Sequence, residues 1–159
     1  MATMILRETH KALIEELESL EKLKRETSEK IKEAAGHGDL KENAEYHAAR
    51  EKQSLILYKK QLMQSHAPFQ IVESKDIKTS EVVFGTKVTI REEGSDQDEI
   101  YYILGPIEFE LDTFPMVVTY HSPFGQAIIG KKVGEDFTLN IRGEDTKFTI
   151  KAIDAISPD

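Results

Sequence analysis

The 159-residue chain contains no cysteine and no tryptophan. Without cysteine it can form neither a disulfide nor a thiolate zinc site, which agrees with a home in the reducing cytoplasm. No apolar run approaches the length needed to cross a bilayer. The first thirty residues mix charge with Leu and Ile, unlike a secretory signal. An excess of positive charge is also missing: the net charge is −8. All of that excess lies in the second half. Up to Ala67 twelve basic and twelve acidic residues cancel, whereas nine basic and seventeen acidic residues follow from Pro68. Such a distribution argues against duplex DNA as a partner of the C-terminal half and suits either solubility or a basic protein surface. With 31% charged and 39% hydrophobic residues, the chain reads as a protein with a large exposed helical surface, either one ordinary domain or two small ones.

What is present is a pair of heptad-patterned segments meeting at a sharp turn. Leu13, Leu17, Leu20, Lys24, Thr27, Ile31 and Ala34 alternate by four and three. After the turn Ala44, Ala48, Glu51, Leu55, Tyr58 and Leu62 repeat the pattern, which predicts an antiparallel two-helix coiled coil. Gly36-His37-Gly38 breaks the first helix. Asp39 is placed as the cap of the second, with Glu42 at the capping-box spacing. A helix of about 28 residues at 1.5 Å per residue puts the turn roughly 40 Å from the base of the hairpin. Small residues near the turn, Ala34, Ala44 and Ala48, favour a thin tip. Two carboxylates on a slender probe have two readings. One is capping alone, worth about 1 kcal/mol. The other is a share in holding a hard cation such as Mg²⁺, which accepts one or two carboxylates and keeps waters. Two carboxylates are too few for a complete site, so the second reading needs another molecule to supply the remaining ligands.

The stretch Gly38–Gln53, GDLKENAEYHAAREKQ, closely resembles the signature of the bacterial transcript-cleavage factors, the GreA/GreB family of transcription elongation factors. VVFGTKVTI (residues 82–90) and SPFGQAIIGKKVGEDF (residues 122–137) resemble the C-terminal segments of that family, in the same order. The resemblance implies a hairpin that enters the secondary channel of bacterial RNA polymerase when the enzyme has backtracked. Asp39 and Glu42 would then help bind Mg²⁺ jointly with the polymerase and orient water for cleavage of the RNA 3′ end. The factor would donate active-site groups without being an enzyme on its own. It also implies that Asn43 and Tyr46 meet the channel and that Arg50 and Lys52 meet the extruded RNA, whose phosphates they would neutralise. The other reading of Arg50 is an ordinary i,i+4 pairing with Tyr46 or nearby glutamates. Because Glu51 separates Arg50 and Lys52, the basic patch is small, closer to the GreA type than to the more basic GreB type. The family commonly carries a proline in the first helix, and this chain has none there.

Pro68 ends the helical periodicity, and residues 68–80 read as a linker between a hairpin domain (1–67) and a C-terminal domain (81–159). Residues 1–7 read as an apolar lead-in. From Glu81 the period changes to that of strands: 82–84, 87–90, 100–104, 107–111, 116–120, 137–141 and 147–156, with an acidic turn over 91–99. Ser122 followed by Pro123 marks an N-cap and a first helical residue, so one short helix is expected to Ile129. The expected fold class is α+β: a coiled-coil hairpin and an antiparallel sheet with one short helix. The resemblance adds that this domain is FKBP-like and that Ser122 and Pro123 dock on the rim of the polymerase channel. The run FELDTFPMVVTYHSP departs from the family by being more apolar and aromatic. A membrane partner is not expected, and the chain is expected to act as a monomer. Two competing readings are a channel-binding regulator without cleavage activity and, on fold analogy alone, a prolyl isomerase. The missing tryptophan and the alternating, core-like phenylalanines count against the isomerase.

Overall fold

The computed structural model describes residues 2–36 and 44–156. The chain divides into two compact units, one made of Met1–His10 with Pro68–Asp159, the other of Lys11–Ala67. This division differs from the expected one at the N-terminus, because the lead-in is a strand. β1 (Thr3–Leu6) pairs in parallel with β2 (Phe69–Val72), from Thr3 opposite Phe69 to Leu6 opposite Val72. Parallel partners need a long crossover, and residues 7–67 supply it. Residues 68–80 therefore hold β2 and a single 3₁₀ turn (Ser74–Asp76) rather than a bare linker.

The second unit is the helical hairpin. α1 (Arg7–Ala35), whose first turn belongs to the other unit, runs to Gly36, the expected break. α2 is Ala44–Gln64. On α1 the seam falls where the heptads put it: Leu13, Leu20, Thr27 and Ala34 are buried, with Leu17, Lys24 and Ile31 half-buried between them. Buried Thr27 loses no hydrogen bond, because its Oγ1 donates to the Leu23 carbonyl at 2.7 Å. On α2 the seam is displaced from the expected phase. Ala49, Ile56 and Met63 are buried, while Leu55 and Tyr58 are 53% and 61% exposed. The run Leu55-Ile56-Leu57-Tyr58 offers more than one apolar phase. The one adopted puts Gln53 and Lys60 beside α1, where they bond Ser28 at 2.9 Å and Glu21 at 2.6 Å. The small residue on the α2 seam is accordingly Ala49, not Ala44 or Ala48.

The first unit is built on a five-stranded sheet of order β5-β4-β3-β7-β6. Its strands are β3 (Thr86–Glu92), β4 (Asp98–Leu104), β5 (Val117–Thr119), β6 (Asp136–Ile141) and β7 (Glu144–Ala155). The sheet is mixed, since short β5 runs parallel to β4 while the other pairs are antiparallel. A register shift beside Thr89 and Ile90 sets Ile90 opposite Ile150 and Thr89 opposite Ala152. The extra residue, Lys151, lets Phe148, Ile150 and Ile153 all reach the core where strict alternation would turn Ile153 away. They pack with Val82, Phe84, Val88, Ile90, Ile103, Leu104, Ile128 and Phe137.

Two short helices cover this sheet instead of one. α4 (Pro123–Ile128) is the expected helix. Residues 107–111, expected as strand, belong to α3 (Pro106–Leu111). The reason is local: Pro106 occupies the first helical turn, and Glu108 Oε1 accepts from the Gly105 amide at 2.9 Å. Asp112 then ends the helix in the left-handed region with φ 53°. Of the atypical aromatic run, Tyr120 is core, Phe114 stacks on Tyr102 at 5.5 Å, and Phe109 is 58% exposed.

β1 is stitched to the sheet domain by side chains. The Met4 amide donates to the Tyr120 hydroxyl at 2.8 Å. The Leu6 amide donates to Glu108 Oε2 at 3.3 Å, and Thr9, itself buried, bonds the same carboxylate. Glu108 has no exposed surface. Burial raises its pKa above the ordinary 4.5, opposed by hydrogen bonds from Thr9, Gly105 and Leu6.

Candidate functional site

Asp39, Glu42 and Asn43 lie outside the described residues. What the structure does describe is the hairpin on either side of them. α1 has 29 residues, so at about 1.5 Å per residue it spans on the order of 44 Å. Its last buried residue is Ala34, and the first on α2 is Ala49, both small enough for close backbone approach at those positions.

Of the residues expected to meet the channel or the RNA, Tyr46 and Arg50 come together. The guanidinium lies 5.8 Å from the Tyr46 ring centroid, and its Nη1 donates to the phenol oxygen at 3.5 Å. His47 adds an edge contact to the same ring at 5.5 Å. Both readings of Arg50 survive in this geometry. The pairing one turn back is present, and the side chain is exposed, with its charge uncompensated by any carboxylate among the described residues. Tyr46 braces the long side chain and so lowers the entropy that a phosphate contact would cost. Lys52 is not part of this pair. It lines a shallow groove of about 440 Å³ between the helices with Lys30, Glu33, Ala34, Glu45, Ala48 and Ala49. Lys30 is exposed, as the charged outer face of the first helix requires.

In the sheet unit, Ser122 and Pro123 are placed as expected. The Ser122 Oγ accepts from the Gly125 amide at 3.0 Å and donates to the Thr119 carbonyl at 2.7 Å. Pro123 opens α4 and is exposed. Gln126 Nε2 ties the helix to the Tyr120 carbonyl at 2.7 Å. The helix lies so close to this strand end that a Cβ on Gly125 would stand 2.4 Å from the Thr119 oxygen. At the Ser122–Pro123 corner the serine hydroxyl is thus satisfied on both sides, and the proline beside it is exposed.

Comparison with known proteins places both halves of the chain. A family described as "Transcription elongation factor, N-terminal" matches residues 3–65, and one described as "Transcription elongation factor, GreA/GreB, C-term" matches residues 77–155. A transcription elongation factor GreA from Thermodesulfovibrio yellowstonii is 38% identical over 148 residues, 92% of each chain. A protein of the same name from Borreliella burgdorferi is 39% identical over 132 residues, 82% of this chain but only 14% of that much longer protein. Among solved structures, a GreA/GreB factor from Nitrosomonas europaea aligns with a TM-score of 0.42 at 15% identity, over 97% of this chain and 98% of that one. The two family matches together span the hairpin and the sheet, and on that ground the chain belongs to the GreA/GreB family of transcription elongation factors.

Proposed function

We propose that this protein binds bacterial RNA polymerase, passes its hairpin into the secondary channel and stimulates cleavage of the RNA 3′ end in backtracked complexes. The observation that carries this reading is a long two-helix hairpin, α1 alone of 29 residues, whose turn bears the acidic motif around Asp39 and Glu42. Carboxylate oxygens are the donors a hard cation prefers, so Asp39 and Glu42 suit Mg²⁺, and two of them leave room for ligands from the polymerase. Bound there, Mg²⁺ would supply a more acidic water and neutralise charge building on the phosphate. The chain's own share is to place Asp39 and Glu42 at the tip, to meet the channel with Asn43 and Tyr46 and to steady the extruded RNA with Arg50 and Lys52. Ser122 and Pro123 hold the sheet unit at the channel rim. The protein is then a donor of active-site groups, and the polymerase remains the enzyme.

The test is a stalled, backtracked elongation complex with labelled RNA and Mg²⁺. Wild-type protein should shorten the RNA from its 3′ end. The Asp39→Asn, Glu42→Gln double variant should bind equally well and leave the RNA intact. Equal cleavage by the double variant would refute the role of the carboxylates. Binding without cleavage by the wild type would mark a regulator that occupies the channel and does no more.

A further inference from the structure

The two helices of the hairpin do not carry the same pattern. α1 has one apolar phase, with Leu13, Leu20, Thr27 and Ala34 all buried. α2 has two such lines at the same seven-residue spacing, one residue apart. The line in use is Ala49, Ile56 and Met63. The idle line is Ala48, Leu55 and Leu62, each the residue just before its counterpart. Ala48 is exposed, Leu55 is 53% exposed and Leu62 is half-buried.

The two lines match in size, step for step. Alanine stands for alanine, leucine for isoleucine and leucine for methionine, and swaps of near-equal volume are those a packed seam tolerates best. The axial register suits both. Gln53 bonds Ser28 at 2.9 Å and Lys60 bonds Glu21 at 2.6 Å, which sets Thr27 within a turn of Leu55 and Ile56 alike. Ala48 and Ala49 both line the groove of about 440 Å³ between the helices, so the packing is open where the two lines begin. The polar clasp is duplicated as well. Lys59 precedes Lys60 as Leu55 precedes Ile56; it is exposed, and among the described residues it makes no ion pair.

We propose that α2 has two seated positions on α1: the one described, and a second, less populated one turned by a single residue step, about 100°. In the second position Ala48, Leu55 and Leu62 replace Ala49, Ile56 and Met63 on the seam, and Lys59 replaces Lys60 beside Glu21. Packed interfaces switch between discrete arrangements of this kind without deforming continuously. Met63 moves to where exposed Gln64 now stands. Arg50 and Lys52 ride on the same helix, so the turn re-aims both cations. The inference concerns the hairpin alone and does not depend on polymerase binding.

The experiment exploits the absence of cysteine from the chain. Thr27→Cys is combined in turn with Ile56→Cys, Leu55→Cys and Ser54→Cys in the full chain, and disulfide formation is timed in a glutathione buffer. Circular dichroism of the reduced variants establishes that both helices are present. A disulfide does not close while its two Cβ bonds point apart, so the Leu55 pair closes from the second position only. Ser54 faces away from α1 in both positions, and its pair measures fraying. The Ile56 pair should close fastest, the Leu55 pair at roughly 1–10% of that rate, and the Ser54 pair about tenfold more slowly again. Lys60→Ala should speed the Leu55 pair by about twofold or more, and Lys59→Ala should slow it by a similar factor. On the cysteine-free chain, hydroxyl-radical labelling of Met63 should rise in Lys60→Ala and fall in Lys59→Ala. A Leu55 pair no faster than the Ser54 pair overturns the proposal, and so does an equal response, in closure or in labelling, to the two lysine variants.

Discussion

Glu108 offers the sharpest test of how the sheet unit is held together. Its carboxylate receives the Gly105 amide at 2.9 Å, the Leu6 amide at 3.3 Å and the Thr9 hydroxyl, with no solvent exposure. Glu108→Ala orphans two buried backbone donors, each costing about 1–3 kcal/mol, while Thr9 can turn to a carbonyl of its own helix. With the lost side-chain packing the cost is about 3–7 kcal/mol, a large share of the roughly 5–15 kcal/mol typical of a whole domain. At roughly 2–4 °C per kcal/mol, melting should fall by about 10 °C. Glu108→Gln keeps one acceptor and turns an NH₂ toward the other amide, so its cost should be nearer 1–2 kcal/mol. Urea unfolding followed by near-ultraviolet dichroism reports on this unit through Tyr101, Tyr102 and Tyr120. Hydrogen exchange at the Leu6 and Gly105 amides locates the damage. An alanine variant within about 0.5 kcal/mol of wild type, with both amides still protected, would refute the claim that this carboxylate fastens β1 and α3.

The same residue sets a pH dependence. Its folded pKa lies above the unfolded 4.5, so the folded state holds the proton more tightly. The associated stability is full below the unfolded value and is lost as pH rises through the folded one, and Glu108→Gln should remove that slope from pH-dependent unfolding curves. Within the hairpin, Ile56→Ala should cost about 2–5 kcal/mol, and Leu55→Ala, on an exposed side chain, well under half of that in parallel denaturation curves. If the two cost the same, the seam of α2 has been assigned to the wrong phase. Gly125→Ala should lower the melting temperature and weaken polymerase binding together, because its Cβ would meet backbone of Thr119 and Tyr120 at 2.4 and 2.9 Å. Ser122→Ala removes the cap and the bond to the Thr119 carbonyl, about 1–2 kcal/mol, and leaves Pro123 in place, so a melting change without any binding change would exclude the Ser122 hydroxyl from docking.

The parts of the fold that could be read in advance are those whose signal is local. The α1 seam was legible because only one heptad phase of that helix is apolar. Ser122-Pro123 was legible because a cap and a first-turn proline sit side by side. β1 was missed because four residues make a strand only with a partner, and that partner, Phe69–Val72, lies more than sixty residues away in sequence. The α3 helix was missed although Gly105-Pro106 with Glu108 carries a readable start signal, since the apolar run behind it resembles a strand equally well. At the candidate tip the expected chemistry of Asp39 and Glu42 rests on residue type and family likeness alone, since both lie outside the described residues.

The connection between β3 and β4 illustrates a different limit. Read along the chain, Arg91–Glu99 is an acidic turn, and an acidic turn calls for no explanation beyond solubility. Its meaning changes once Ile90 is seen opposite Glu99 and Thr89 opposite Ile100. That register extends both strands into the supposed turn and fixes Glu92 and Glu99 on the face shared with Val88, Ile90 and Tyr101. A one-residue slip would send both carboxylates to the opposite face and leave an ordinary acidic surface. The register is held from three sides, by the β3–β4 ladder, by the pairing of Arg91 with Asp98, and by β7 across the bulge at Ile150. Moving the two carboxylates would therefore require breaking the centre of the sheet.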